Sequence, residues 1–334
     1  MNSIKNLNTI QSEPKISPWY ITGFTDGEGA FSFSINKKEK KLDGTFRWQI
    51  QIEFLLPASN NPANKEQLIL IKNLLGVGQI SVNKAKGNNK SLLRYRVQSL
   101  KQCLLIKQHF EKYPLLTNKL VNFKIWCKVL EIMNINEHLT KKGLDQIVAL
   151  KTHSPKGLSS QLRKDFPNFI NFVPERPTYN PNWANINIDW LAGFQNADGC
   201  FKVQISKSKT NKIGKKVQPL IAITQHINNL EVLQKIKEML GLGFIFIRKD
   251  QPAADFKITS LTETNLFIEK FKNSTIWGAK ALDYKAFCLN IGLINEKKHL
   301  TLEGLAEIET RNLTVNSRRT DFTINPKLLL AEKP

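Results

Sequence analysis

The sequence predicts an α+β protein of two pseudo-symmetric αββαββα domains, each with a four-stranded antiparallel sheet, joined at a two-helix interface. Three observations carry this prediction. A nine-residue stretch occurs twice, as ITGFTDGEG (Ile21 to Gly29) and as LAGFQNADG (Leu191 to Gly199). Each copy is followed by a period-two alternation of apolar and polar residues, the mark of a half-buried strand. Matched landmarks then recur at a slowly shrinking spacing: Gly29 and Gly199 lie 170 positions apart, Gly76 and Gly241 165, and the His-Leu-Thr runs starting at His138 and His299 161. A shrinking offset is what one set of elements with shorter loops in the second copy produces.

Taken in order, Ser17-Pro18 supplies an N-cap and a proline at the first helical position, so the first repeated stretch is read as a helix from Pro18 to about Asp26. Asn187 holds the matching place in the second copy. Small residues one turn apart, Gly23 with Gly27 and Gly193 with Ala197, let a second helix backbone come unusually close. The two helices are therefore expected to pack on each other and bring Glu28 and Asp198 to a common point, as hard divalent cations require. One Asp-Gly or Glu-Gly at a helix end reads as an ordinary C-cap. Two carboxylates at matching C-termini, where the macrodipole disfavours them, argue for a bound cation.

Strands follow. Phe31, Phe33 and Ile35 alternate with Ser32, Ser34 and Asn36, and Phe201, Val203 and Ile205 with Lys202, Gln204 and Ser206. Second strands run over Thr45 to Phe54 and about Lys216 to Gln225. A helix leads into LGVG (Leu75 to Gly78) and LGLG (Leu240 to Gly243), each followed by a strand pair: Gln79 to Asn83 with Leu92 to Gln98, and Phe244 to Lys249 with Asp255 to Thr259. Two closing helices end each half. Prolines 155, 167, 174, 177 and 181 make the stretch between the halves extended and semi-rigid, with Phe166, Phe169 and Phe172 packing as it goes. The predicted organisation is an amino-terminal arm over 1–16, a domain over 17–152, a linker over 153–186 and a second domain over 187–334.

Composition narrows the partner. Forty-nine Lys and Arg against 28 Asp and Glu give a net charge of +21 across 334 residues, and such a field attracts a polyanion, nucleic acid first. The basic residues are spread through both halves rather than gathered in a tail. No apolar run is long enough to cross a bilayer, so no membrane partner is expected. The four cysteines form no CxxC pair and the five histidines do not fall at zinc spacing. His138 with His299, and Cys127 with Cys288, read as matched structural positions. Residues 1–17 have neither the apolar core of a secretory signal nor the arginines of an import presequence.

The paired stretches, matching at Gly23/Gly193, Phe24/Phe194, Glu28/Asp198 and Gly29/Gly199, resemble the LAGLIDADG homing endonucleases in their double-motif, single-chain form, over about Ser17 to Arg319. The resemblance implies two motif helices between the halves, two sheets forming a saddle over double-stranded DNA, and a monomer that makes a double-strand break at a long asymmetric site. It also implies Mg²⁺ or Mn²⁺ held by Glu28 and Asp198 with the carbonyls of Gly27 and Ala197; Ca²⁺ could fill the site without supporting cleavage. Lys119 and Lys280, matched before a closing helix, are the candidates for the catalytic basic residue that the family places near the scissile phosphate. Base reading falls to the polar strand faces: Ser32, Ser34, Asn36, Arg47, Gln49, Gln51, Ser81, Asn83, Arg94, Arg96 and Gln98 in the first half, and Lys202, Gln204, Ser206, Lys216, Gln218, Arg248, Lys257 and Thr259 in the second. Arg and Gln suit bidentate pairing with guanine and adenine in a major groove that admits a β-ribbon. Two departures stand out: Asp26 against Asn196 at the sixth motif position, and Glu28 against the shorter Asp198. Intron homing and a mitochondrial location are the implied setting, which Asn-, Lys- and Ile-rich coding also suits. An RNA-splicing maturase on intron RNA, or a DNA-binding protein that has lost catalysis, are the rival readings on the same fold.

Overall fold

The computed structural model describes residues 15–40, 46–84, 91–154, 157–169, 175–315 and 322. The first half runs α1 (Pro18–Glu28), β1 (Ala30–Lys40), β2 (Phe46–Ser59), α2 (Pro62–Leu75), β3 (Gln79–Asn83), β4 (Leu92–Val97), α3 (Leu100–Lys112), α4 (Lys119–Asn134) and α5 (Lys141–Lys151). After a short α6 (Ser160–Asp165), the second half repeats the order as α7 (Ile188–Asp198), β5 (Gly199–Lys207), β6 (Lys215–His226), α8 (Leu230–Leu240), β7 (Phe244–Ile247), β8 (Ala253–Ile258), α9 (Leu261–Lys270), α10 (Gly278–Asn295) and α11 (Leu302–Asn312). Each half has one antiparallel sheet, ordered β1-β2-β4-β3 and β5-β6-β8-β7.

The alternation sorts each sheet into two faces. Phe33, Ile35, Ile52, Phe54, Leu93, Tyr95 and Val97 are buried under the helices of the first half, as are Phe201, Val203, Ile221, Ile223, Phe256 and Ile258 in the second. Three helices rather than two close each half. The third, α5 or α11, begins at the threonine of each His-Leu-Thr run, whose side chain caps it by accepting from Gly143 N or Gly304 N at 3.1 Å. Ile147 and Val148, or Leu305 and Ile308, then face the core. The third helix also ties down the sheet edge: Lys151 Nζ donates to Phe33 O at 2.5 Å and Asn312 Nδ2 to Val203 O at 2.9 Å. β2 continues to Ser59, five residues past the expected Phe54, because Leu55 to Ser59 pair with β4; Thr45 lies outside the described residues.

The linker is less extended than its prolines predict. Ser159 caps α6 through Leu162 N at 3.3 Å, and the first described proline, Pro167, comes only after that helix. Lys37 pairs with Asp165 at 2.6 Å and Trp48 packs on Phe166, fastening the linker to the β1–β2 hairpin. Tyr179 Oη then donates to Leu116 O at 2.8 Å, and Trp183 Nε1 to Glu231 Oε1 of the second half at 2.8 Å. Pro155, Phe172 and Pro174 lie outside the described residues.

Candidate active site

The two motif helices lie against each other, and the glycines show how closely. A Cβ on Gly23 would sit 1.9 Å from Trp190 O, and one on Gly193 2.0 Å from Tyr20 O. A Cβ on Gly27 would meet Ala197 Cβ at 2.2 Å and Asp198 Oδ2 at 3.1 Å. The carboxyl ends of α1 and α7 are therefore side by side. Both helices run to their acid, two residues beyond Asp26 in the first case. The following glycines are not left-handed caps: Gly29 and Gly199 have φ of −69° and −90°. Glycine is required there because a Cβ would strike Thr25 or Gln195 of the preceding turn at 2.4 and 2.2 Å.

The sixth motif position is structural and explains its own asymmetry. Asp26 is buried and accepts from Leu116 N, Thr117 N, Thr117 Oγ1 and Trp190 Nε1 at 2.6 to 3.1 Å. Burial pushes its carboxyl above the usual range and these four donors oppose the push. At the pseudo-equivalent place Asn196 Nδ2 donates to Tyr20 Oη and to Trp277 O. Trp190 and Tyr20 correspond by the same offset of 170. An indole only donates, so it meets a carboxylate; a phenol oxygen accepts, so it meets an amide.

Glu28 and Asp198 both have carboxyls held above the ordinary range. For Glu28 the causes are crowding of the carboxyl, although the side chain remains exposed, and then the charge of Asp198; Lys119 and Lys280 oppose them. For Asp198 burial dominates, opposed by a 2.7 Å hydrogen bond from Gln225 Nε2 and by the same two lysines. Lys119 Nζ donates to Gly27 O and, at 3.2 Å, to Thr25 O, and burial lowers its pKa. Lys280 Nζ donates to Gly199 O at 2.7 Å. The two carboxylates stand beside the last-turn carbonyls of Gly27 and Ala197, oxygens of the kind a hard divalent cation takes, although the Gly27 carbonyl already accepts from Lys119. Among the described residues no group of three or more His, Cys, Asp or Glu forms a rival site.

The strand register brings the predicted reading residues together. Ser32, Ser34 and Asn36 pair with Glu53, Gln51 and Gln49; Arg94 and Arg96 pair with Ser81 and Gln79. With Arg47 and Asn83 these form one polar face opposite the core; Gln98, just past β4, reaches Glu53. Gln204 pairs with Gln218 and Ser206 with Lys216, and Lys202 and Lys257 share that side of the second sheet by parity; β7 and β8 end at Ile247 and Ile258, short of the expected Lys249 and Thr259, so Arg248 and Thr259 lie one residue past them. Several of these side chains are already engaged. Glu53 pairs with Arg96 at 3.0 Å, while Asp255 pairs with Arg248 at 2.7 Å and Lys257 at 3.0 Å and accepts from Thr224 at 2.6 Å. The same face carries Phe244 and Phe246, 44% and 48% exposed, with Lys257 Nζ over the Phe246 ring.

Sequence reasoning passed over Gln225, Asp255 and Glu53. Gln225 carried a signal: it has the parity of the buried Ile221 and Ile223, so it is a polar residue aimed inward. Asp255 and Glu53 stand at outward positions and gave none, since a charge there reads as solvated.

The model of the LAGLIDADG endonuclease family matches residues 21–130 and 191–291. Two relatives from Neurospora crassa, "Probable intron-encoded endonuclease 3" and "Probable intron-encoded endonuclease 2", are 30% and 29% identical over 306 and 303 residues, covering 91% and 88% of this chain. The chain spans 55% and 64% of those relatives' own lengths. The I-SmaMI LAGLIDADG homing endonuclease bound to cleaved DNA superimposes with a TM-score of 0.82 at 32% identity, covering 92% of this chain and 99% of that one. I-SmaMI bound to an uncleaved DNA target in the presence of calcium ions gives a TM-score of 0.79 at 34% identity, covering 90% and 99%. Both matched segments contain a motif helix and its acid, and with the shared two-sheet architecture they show that this chain belongs to the LAGLIDADG endonuclease family.

Proposed function

We propose that the chain is a monomeric, site-specific endonuclease that makes double-strand breaks at a long asymmetric DNA target, for intron homing in a mitochondrial genome. The pairing of Glu28 with Asp198 at the adjoining ends of two helices, between two polar sheet faces, carries this reading. Residues 17–152 would hold one half-site and 187–334 the other, with 153–186 linking them. The polar faces enter successive major grooves, and cutting occurs across the minor groove between them, leaving short 3′ overhangs. Two strand breaks need two centres, one carboxylate per half: Mg²⁺ held at Glu28 and at Asp198, with the Gly27 and Ala197 carbonyls, would supply a nucleophilic water at neutral pH and neutralise charge on the leaving oxygen of each strand. Lys119 and Lys280, anchored on main-chain carbonyls beside the acids, hold positive charge where the phosphorane-like transition state develops. Arg and Gln on the strand faces orient the duplex and read base edges.

Cleavage selection on randomised DNA, followed by assays of Glu28→Gln, Asp198→Asn and the double variant, tests this. Each single variant is expected to lose double-strand cleavage while binding the selected site with little change, because affinity lies in the strands. Metal-dependent cleavage that persists in the double variant would refute the assignment.

A further inference from the structure

We propose, resting on the endonuclease reading above, that Asn118, Asn229 and Gln225 form a positioning chain through which the first half of the molecule fixes the Asp198 carboxylate of the second, and that Glu28 lacks the equivalent chain. Asn118 Nδ2 donates to Asn229 Oδ1 at 2.6 Å, Asn229 Nδ2 to Gln225 Oε1 at 2.9 Å, and Gln225 Nε2 to Asp198 Oδ2 at 2.7 Å. The direction is forced. An ionised carboxylate only accepts, so Gln225 presents its NH₂ to Asp198 and its oxygen to Asn229, which must donate in turn, and Asn118 likewise.

Two further observations set this chain apart from chance surface bonding. Asn118 and Asn229 are the N-cap residues of α4 and α8, yet neither side chain caps its helix. Asn61 and Asn187 cap α2 and α7 in the usual way, each at 2.9 Å. Both uncapped asparagines instead turn toward each other across the two halves, and Asn118 directly precedes Lys119. The second observation is the broken symmetry. In the repeat, Asn229 corresponds to Asn64, Asn118 to Ala279 and Gln225 to Ala58. Asn64 Oδ1 still accepts from Ala279 N at 2.9 Å, matching the longer Asn118 N to Asn229 Oδ1 contact at 3.4 Å. The brace between halves is therefore present twice. Its extension to the acid exists once, because Ala58 and Ala279 have no amide to pass it on. At Glu28 the corresponding space is a cleft of about 820 Å³ lined by Ala58, Ala279, Asn64 and Lys280 among others. The shorter acid is the one held from behind; among the described residues no such chain reaches the longer one.

Asn229 thus acts on cleavage through Gln225, and only at the Asp198 centre. The test is single-turnover cleavage of a duplex labelled separately on each strand, with Asp198→Asn identifying the strand cut at that centre. Asn229→Ala is expected to slow that strand about 10- to 100-fold, the usual cost of losing an outer-shell partner, and to leave the other strand's rate and the metal-free DNA affinity unchanged. Asn229→Asp keeps the shape and still accepts from Asn118 but cannot donate to Gln225; it should behave as the alanine variant does and covers the case in which alanine fails to fold. Independently of cleavage, urea midpoint shifts of Asn118→Ala and Asn229→Ala should not add in the double variant, since either change breaks the same bond. Equal slowing of both strands, an unmoved strand ratio, or additive midpoint shifts would overturn the chain. A wild-type protein that cuts no DNA would instead refute the endonuclease reading beneath it.

Discussion

At the scale of single residues, the two acids and one buried aspartate respond to pH in opposite ways. Glu28 and Asp198 are both held above the ordinary carboxylate range, Asp198 chiefly by burial and Glu28 by crowding of its carboxyl and the charge of its neighbour. Cation binding at each centre needs its acid ionised, so activity should fall on the acid side at a higher pH than free carboxylates would give. Protons and metal compete for the same oxygens. Raising the Mg²⁺ concentration should therefore move the acid limb of the single-turnover rate to lower pH; a limb that stays fixed would count against these carboxylates as the ligands. Asp255 is the reverse case. Burial acts to raise it, but hydrogen bonds from Arg248, Thr224 and Lys257 outweigh burial and hold it at about 2, below its ordinary 3.8. A depressed carboxyl contributes stability above its unfolded pKa and loses it as pH falls through the folded value, here between about pH 4 and about pH 2. Asp255→Asn should cost roughly 2 kcal/mol near neutrality. In urea unfolding, the gap between the variant and the wild type should narrow toward about pH 2.

At the scale of elements, the motif helices depend on backbone proximity, and the glycines separate two roles that look alike in sequence. Gly76 and Gly241 end α2 and α8 with φ of 70° and 66°, and a Cβ at either would meet nothing within 4 Å. Gly76→Ala should cost about 1 kcal/mol, for the left-handed backbone alone. Gly23→Ala and Gly193→Ala push a methyl into a carbonyl of the partner helix, which only separation of α1 from α7 can relieve. Overpacking of this kind costs about 1–3 kcal/mol or more, and separation also parts Glu28 from Asp198. Denaturation midpoints should rank Gly23→Ala and Gly193→Ala below Gly76→Ala, and cleavage should fall in the interface variants even where they stay folded. The opposite ranking would mean that the two helices are not in contact in solution.

At the scale of the whole molecule, the charge of +21 and the two polar faces bear on how the proposed DNA target would be held. Binding should weaken steeply with salt, with a log–log slope near −0.9 for each phosphate neutralised. Fluorescence anisotropy across a salt series on a labelled duplex measures it, and a nearly flat plot would place the excess charge away from the DNA. The intramolecular pairs at Arg96, Arg248 and Lys257 should make the slope shallower than the number of basic residues on the two faces suggests, because a cation already neutralised by Glu53 or Asp255 releases fewer counterions.

The sequence by itself determined the repeat, the strand faces and the carboxylate in each motif. Period-two alternation and a duplicated helix are local properties, and local spacing is enough to write them. It also carried the resemblance that named Lys119 and Lys280, and both lysines reach main-chain carbonyls at the acids. The third closing helix went unread because its eleven residues hold only a short apolar stripe after a His-Leu-Thr run that reads as an ending. The rest belongs to tertiary structure alone. Asp26 and Asn196 differ because one faces an indole and the other a phenol, residues 164 and 176 positions away. Gln225, Asn229 and Asn118 become a chain only when two halves of the fold meet, and each asparagine taken alone reads as a helix cap. Hydrogen-bond partners at that separation leave no periodicity in the sequence; only where the two halves meet do Gln225 against Ala58 and Asn118 against Ala279 come to bear on the two acids.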